Sequence, residues 1–194
     1  MNKRAIQKQE TRSKLIQSAH HLYAEHGFLA VTMEQIAQHA GVAKGTIFTH
    51  FQSQDELICT IIQQLREQFG NQLYQQMRAV KDDIRFMLTW HIELLQEHEA
   101  LYRHLIIERT LLSESAQLIY LEMQSIVSNY IFLVAQQAME QHRIKKMEPY
   151  LFFNTWIGLL HYYIANKDLF QPAGSVLTTH AEELVAHFYS LIKL

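Results

Sequence analysis

GVAKGTIFTHF, residues 41–51, holds two glycines, several small side chains, one lysine and one histidine among apolar residues. The chain is otherwise rich in helix formers, yet Gly45 sits in mid-segment, where glycine costs a helix about 1 kcal/mol relative to alanine. Ala43 beside it is also small. Either the stretch is an ordinary turn, or something large comes close to its backbone.

The flanking sequence favours a helix. Residues 10–26 carry Leu15/Ile16, Ala19 and Leu22/Tyr23 at three- to four-residue spacing, the period of one amphipathic helix. Gly27 follows where a left-handed C-terminal cap is expected, and Phe28 and Val31 are apolar loop residues suited to plug a small core. Thr32 with Gln35 three positions on predicts a capping box opening a second helix through Ile36, Ala37 and Ala40, which stops at Gly41. Ser53 and Glu56 repeat the box and launch a long fourth helix. Residues 41–51 are then the third helix, and a glycine turn between the second and third completes a helix-turn-helix pattern.

Beyond this module the chain alternates amphipathic helices with short breaks. The fourth helix extends to about residue 79 across Gly70. Asp82 and Asp83 suit the start of a fifth, a shorter one spans about 100–112, and Ser113 or Ser115 caps a helix reaching about 142. Pro149 fits the first turn of a helix over 149–166, where its missing N–H is not needed. Residues 166–175 read as a loop, and a final helix fills 176–193. The fold class is all-α. Residues 1–52 form the helix-turn-helix domain, and 53–194 a larger helical domain.

Composition narrows the function. Net charge is -2, but residues 1–52 carry six basic against three acidic side chains, so only the N-terminal end is suited to an anionic partner. Cys59 is the one cysteine, which excludes an intrachain disulfide; in its apolar helical setting it reads as a small buried hydrophobe. No secretory signal and no apolar run of about 18 residues are seen, giving the expectation of a cytoplasmic chain with no membrane partner. Twelve histidines raise a metal site, yet no Glu-x-x-His pair, His-Glu-x-x-His motif or Cys/His cluster occurs. Nothing marks a nucleophile elbow. No metal, cofactor or enzymatic activity is expected.

The first 57 or so residues resemble the TetR family of one-component transcriptional regulators. The likeness rests on Ile16, Ala19, Leu22–Tyr23, Gly27, Thr32, Ile36–Ala37, Ala40–Gly41–Val42, Lys44–Gly45–Thr46–Ile47–Phe48, Phe51, Ser53 and Leu57. It implies a homodimer, joined through the last two helices (WIGLLHYYI and EELVAHFYSLI), that binds a near-palindromic operator in double-stranded DNA and acts as a repressor. In a groove-facing third helix, small Ala43 and Gly45 permit close backbone approach. Lys44 can reach a guanine edge or a phosphate, and Thr46 a phosphate or a thymine methyl. The resemblance adds Thr49 and His50 as DNA-facing and Thr32 as a cap directed toward a phosphate. His50 has a second reading, as a group that favours its own helix C-terminus. Phe48 is divided between DNA and packing, while Ile47 and Phe51 belong to the module's core.

Three positions depart from the family pattern. Ala43 stands where serine is frequent, removing a cap worth about 1 kcal/mol. Phe48 replaces a usual tyrosine and its hydroxyl, and Gln54 replaces a usual lysine, leaving a neutral phosphate contact. A basic arm of Lys3, Arg4, Lys8, Arg12 and Lys14 is expected to compensate along phosphates or in the minor groove. These departures keep a second reading open: a helical small-molecule or metal-binding protein whose helix-turn-helix no longer binds DNA.

Aromatic and apolar side chains with a few polar groups in the larger domain suit a small-molecule effector pocket between helices. Met87, Trp90, His91, Tyr120, Met123, Phe153 and Trp156 are the candidate lining, for a largely apolar or aromatic ligand. For each of them, core or dimer packing is the competing reading.

Overall fold

The computed structural model describes residues 3–79 and 83–194. Among them the chain forms α1 (Lys3–His26), α2 (Met33–His39), α3 (Lys44–Ile47), α4 (Gln54–Ala79), α5 (Ile84–Gln96), α6 (Glu99–Glu108), a 3-10 turn (Arg109–Leu111), α7 (Glu114–Glu140), α8 (Pro149–Ala165), α9 (Lys167–Phe170) and α10 (Val176–Ile192). The all-α expectation holds; the one β-bridge among the described residues joins Ile144 to Lys193. Asp83 caps α5 by accepting from Arg85 N–H at 2.9 Å, whereas Asp82 lies outside the described residues.

Several boundaries differ from the sequence reading. α1 begins at Lys3, not near residue 10, so the basic residues expected in an arm lie on helical turns. α3 is one turn long and tightens into 3-10-type bonds at Thr49 and His50. The expected loop over 166–175 contains the short α9.

Two compact units emerge. One comprises residues up to Arg66 with Ala100–Tyr120; the other comprises Glu67–Glu99 with Leu121–Leu194. In the first, α1 packs on α2 and α2 on α3. Leu15, Ala19 and Tyr23 of α1, the loop residues Phe28 and Val31, and Ile36, Ile47, Phe51 and Leu57 are buried. Each large apolar side chain so buried contributes about 1.5–3 kcal/mol, enough together to hold a one-turn helix that has little intrinsic stability.

In the second unit α10 packs on α5 and α8. Phe188 of α10 meets Phe152 and Trp156 of α8 with ring centroids 5.3 and 5.0 Å apart. Glu99, buried at the start of α6, accepts from Ser175 Oγ and from the N–H groups of Val176 (2.9 Å) and Leu177 (3.2 Å). It thereby satisfies donors that the first turn of α10 would otherwise leave open. Contrary to the sequence expectation, α7 is long and apolar enough to cross a membrane by length and composition. One face of it is buried (Ala116, Tyr120, Met123, Val127 and Tyr130), while the other exposes Leu118, Leu121, Ile126 and Leu133 beside Glu122, Ser125 and Asn129.

Candidate nucleic-acid interface

The turn before α3 is built by backbone hydrogen bonds that only a left-handed residue allows. Gly41 has φ 68°; its N–H reaches Gln38 O (3.1 Å), and the N–H of Val42 reaches Ala37 O (3.0 Å). This is the Schellman pairing that closes a helix C-terminus. At the other end of α2, Thr32 and Gln35 form the reciprocal capping box. Thr32 remains exposed, but its hydroxyl is committed to Gln35.

Ala43 occupies the N-cap of α3 and provides no side-chain hydrogen bond, as its lack of a hydroxyl requires. Gly45 is exposed, and a Cβ built on it meets no atom within 4 Å. Nothing in the chain requires glycine there, neither space nor a positive φ. Gly27 is the opposite case, with φ 91° and a side-chain position already filled by the Glu108 carboxylate.

The outward face of this segment carries Lys44, Gly45, Phe48 and Thr49, with Thr46 and His50 half-buried. Lys44 Nζ lies 2.7 Å from Glu34 Oε2 of α2, with both side chains well exposed. Thr49 Oγ1 donates to Thr46 O at 2.7 Å. Phe48, 51 % exposed, stands apart from the packed Ile47 and Phe51. The burial of Ile47 and Phe51 agrees with their packing role.

Behind that face lie residues whose work is internal. Arg12 donates from Nη1 to His50 O at 2.8 Å, and its guanidinium sits 4.1 Å from the centroid of the Phe51 ring. It is a strut between α1 and the residues that follow α3, not a member of a free arm. Desolvation first, then the charges of Lys8 and Arg12, hold the His50 imidazole below its ordinary pKa of 6.5. Gln54 has internal partners in the DNA-free chain. Its Nε2 donates to Phe28 O (3.1 Å) and Val31 O (2.7 Å), so both amide hydrogens serve the α1–α2 loop here. Arg4 lies on the exposed first turns of α1, and Arg4, Lys8 and Arg12 follow one another at helical four-residue spacing.

The candidate ligand residues sit mostly in packed surroundings. Met87, Trp90, His91, Met123 and Trp156 are buried in the second unit, and Phe153 is half-buried. Trp156 Nε1 donates to His91 Nδ1 at 2.9 Å. Burial, with a smaller contribution from His161, pushes the His91 pKa down to about 3. Tyr120 falls in the first unit, near the rings of Tyr102 and the guanidinium of Arg109. Two grooves occur elsewhere. One, of about 820 Å³, is lined by residues of the α7 end and α8 start, including Met139, Lys146, Met147 and Leu151. The other, about 410 Å³, lies along α8 and α10 and includes Leu159, Tyr163, Ala186 and His187. None of the seven candidates lines either groove. No group of three His, Cys, Asp or Glu among the described residues is placed to hold a metal.

Glu34, Arg12 and Glu108 escape a sequence reading in their actual roles. Their partners lie 10, 38 and 79 residues away, and no local period marks such pairs.

Fold and site define a helix-turn-helix protein with a helical domain. Residues 15–59 match the family described as bacterial regulatory proteins, tetR family. A TetR-family transcriptional regulator from Agrobacterium tumefaciens is similar in structure, with TM-score 0.80 and 17 % identity over 96 % of this chain and 100 % of that one. Reduced NemR of Escherichia coli is similar with TM-score 0.75 and 16 % identity, over 94 % of this chain and 97 % of its own. A regulator structure from Saccharomonospora viridis in complex with choline gives TM-score 0.81 and 16 % identity, over 96 % and 99 %. The N-terminal module matches the tetR-family model over those residues, and the chain has the fold of TetR-family transcriptional regulators.

Proposed function

We propose that this chain is a cytoplasmic, homodimeric DNA-binding repressor, released from a near-palindromic operator by a small, largely apolar or aromatic ligand. The observation that carries the DNA contact is Gly45: an exposed glycine in a helix, where it costs about 1 kcal/mol, with no internal need for its lack of a side chain. A duplex pressed against α3 supplies that need. Lys44, Thr46, Phe48, Thr49 and His50 surround it on the same short segment, with Thr32 and Arg4 as phosphate contacts beyond it.

Dimerisation through α8 and α10 is supported by apolar surface left exposed on α8, where Leu151 and Tyr162 are about half exposed or more. Ala186 and the half-buried Leu159 border the groove along both helices. A C2 pairing of such faces would space two recognition helices for two half-sites. An effector releases DNA only if it binds one arrangement of the modules better than the other. A similar fold holds choline in the Saccharomonospora viridis structure, which supports a small-molecule effector here.

The test is fluorescence anisotropy with the DNA immediately upstream of the chain's own gene, titrated at several salt concentrations. Salt-dependent binding, tighter than to random-sequence DNA, is the expected result. Absent or salt-insensitive binding favours a helical small-molecule-binding protein instead. The pairing of Lys44 with Glu34 and the inward turn of Gln54 are what favour that second reading.

A further inference from the structure

Lys44 is the only lysine or arginine between Lys14 and Arg66, so it is the one fixed cation that α2, α3 and their turns can offer a duplex. Its ammonium is 2.7 Å from Glu34 Oε2, and the two side chains are 64 % and 63 % exposed. The pair is held by charge, not by surrounding packing. We propose that Glu34 is a specificity-determining residue, which keeps Lys44 from binding DNA phosphates while leaving it able to bind a base edge. This rests on the DNA-binding reading above.

The two kinds of contact place different demands on the pair. A phosphate needs the full lysine charge, and it would come close to the carboxylate, which repels it within a Debye length of about 8 Å. Guanine O6 and N7 are neutral acceptors. An ammonium has three N–H donors, so Lys44 can keep one on Glu34 and give the others to guanine. Arbitrary DNA therefore gains nothing from this lysine, and a matched site does. Glu34 withholds non-specific affinity at small cost to specific affinity. It lies in the first turn of α2, and its contact is with a residue ten positions on, in the first turn of α3.

The test uses the full chain and a random-sequence duplex of about 30 base pairs, with affinity measured between about 50 and 200 mM KCl. Wild type, Glu34→Gln, Lys44→Gln and the double variant are compared after circular dichroism shows all four folded. Glu34→Gln is expected to tighten non-specific binding and steepen the log–log salt dependence by about 0.9, the value for one added phosphate contact. It then loses about threefold more affinity than wild type across that salt range. Lys44→Gln should leave the wild-type slope unchanged yet remove the added 0.9 from the Glu34→Gln background. A slope that falls by about 0.9 on Lys44→Gln alone, or that ignores Glu34→Gln, overturns the proposal and leaves DNA binding standing. If none of the four proteins binds DNA at the lowest salt, the DNA-binding reading fails and the role of Glu34 with it.

Discussion

Glu108 Oε2 accepts the backbone N–H of Leu29 at 2.9 Å, joining the last turn of α6 to the loop that leads into α2. The other carboxylate oxygen meets His104 Nδ1 at 3.0 Å, and the carboxyl group lies against Gly27. Gly27 is thus required twice, for its φ of 91° and for the space the carboxylate fills. Gly27→Ala forces a left-handed backbone on alanine and pushes Glu108 off Leu29. The expected loss is about 2–4 kcal/mol, combining left-handed strain with a broken charge-assisted hydrogen bond. Urea denaturation measures it. Because the residues touch, Gly27→Ala and Glu108→Ala should be less than additive in combination; strict additivity contradicts the linkage.

Gln54 serves the same loop from α4. Gln54→Ala leaves Phe28 O and Val31 O without its amide, at an expected cost of about 1–2 kcal/mol. The salt slope of DNA binding should not change, since no phosphate contact is removed. A slope lowered by about 0.9 would return Gln54 to the DNA surface.

Arg12 separates bracing from phosphate binding. Arg12→Gln removes both the bond to His50 O and the stacking on Phe51. Stability should fall by about 1–2 kcal/mol and DNA affinity should weaken as the recognition segment loosens, at constant salt slope. A changed slope with unchanged stability would make Arg12 a phosphate ligand.

His91 gives an acid limb. Its pKa is about 3 in the folded chain against an ordinary 6.5, so below pH 6.5 the unfolded chain binds a proton that the folded chain does not. Stability is therefore full above about pH 6.5 and falls as pH drops toward 3, with a slope of up to about 1.4 kcal/mol per pH unit from this group. His91→Gln keeps an acceptor for Trp156 Nε1 without titrating. Unfolding followed by tryptophan fluorescence should show a flatter acid limb for the variant; parallel limbs would remove His91 as the cause.

What could be read from the sequence was local. The capping box of Thr32 and Gln35, the stop at Gly41 and the buried pattern of Leu15, Ala19 and Tyr23 each declare themselves within a few residues. The start of α1 did not, because residues 3–9 have only the adjacent Ala5 and Ile6 as apolar side chains and carry no apolar period. α3 ends sooner than its sequence period suggests, since Ile47 and Phe51 are spaced as on a continuing helix although the backbone tightens between them. Arg12 and Gln54 have side chains of the type that binds phosphate, and their distant partners within the chain leave no local mark in the sequence. The aromatic residues of the larger domain fit a pocket and a packed core equally in composition. Trp156 bonded to His91 in a buried setting is what core packing looks like at that position.

Gly45→Ala separates a glycine kept for close DNA approach from an incidental one. The glycine has a negative φ and open space around its virtual Cβ, so alanine should leave the fold intact or stabilise it by up to about 1 kcal/mol. If a duplex presses against α3, the same methyl group should weaken binding to the upstream DNA by about tenfold or more, since it holds the backbone off the groove. Loss of binding with stability kept or raised is the predicted result, and it excludes misfolding as the cause. Binding as tight as wild type in that stable variant would contradict the account.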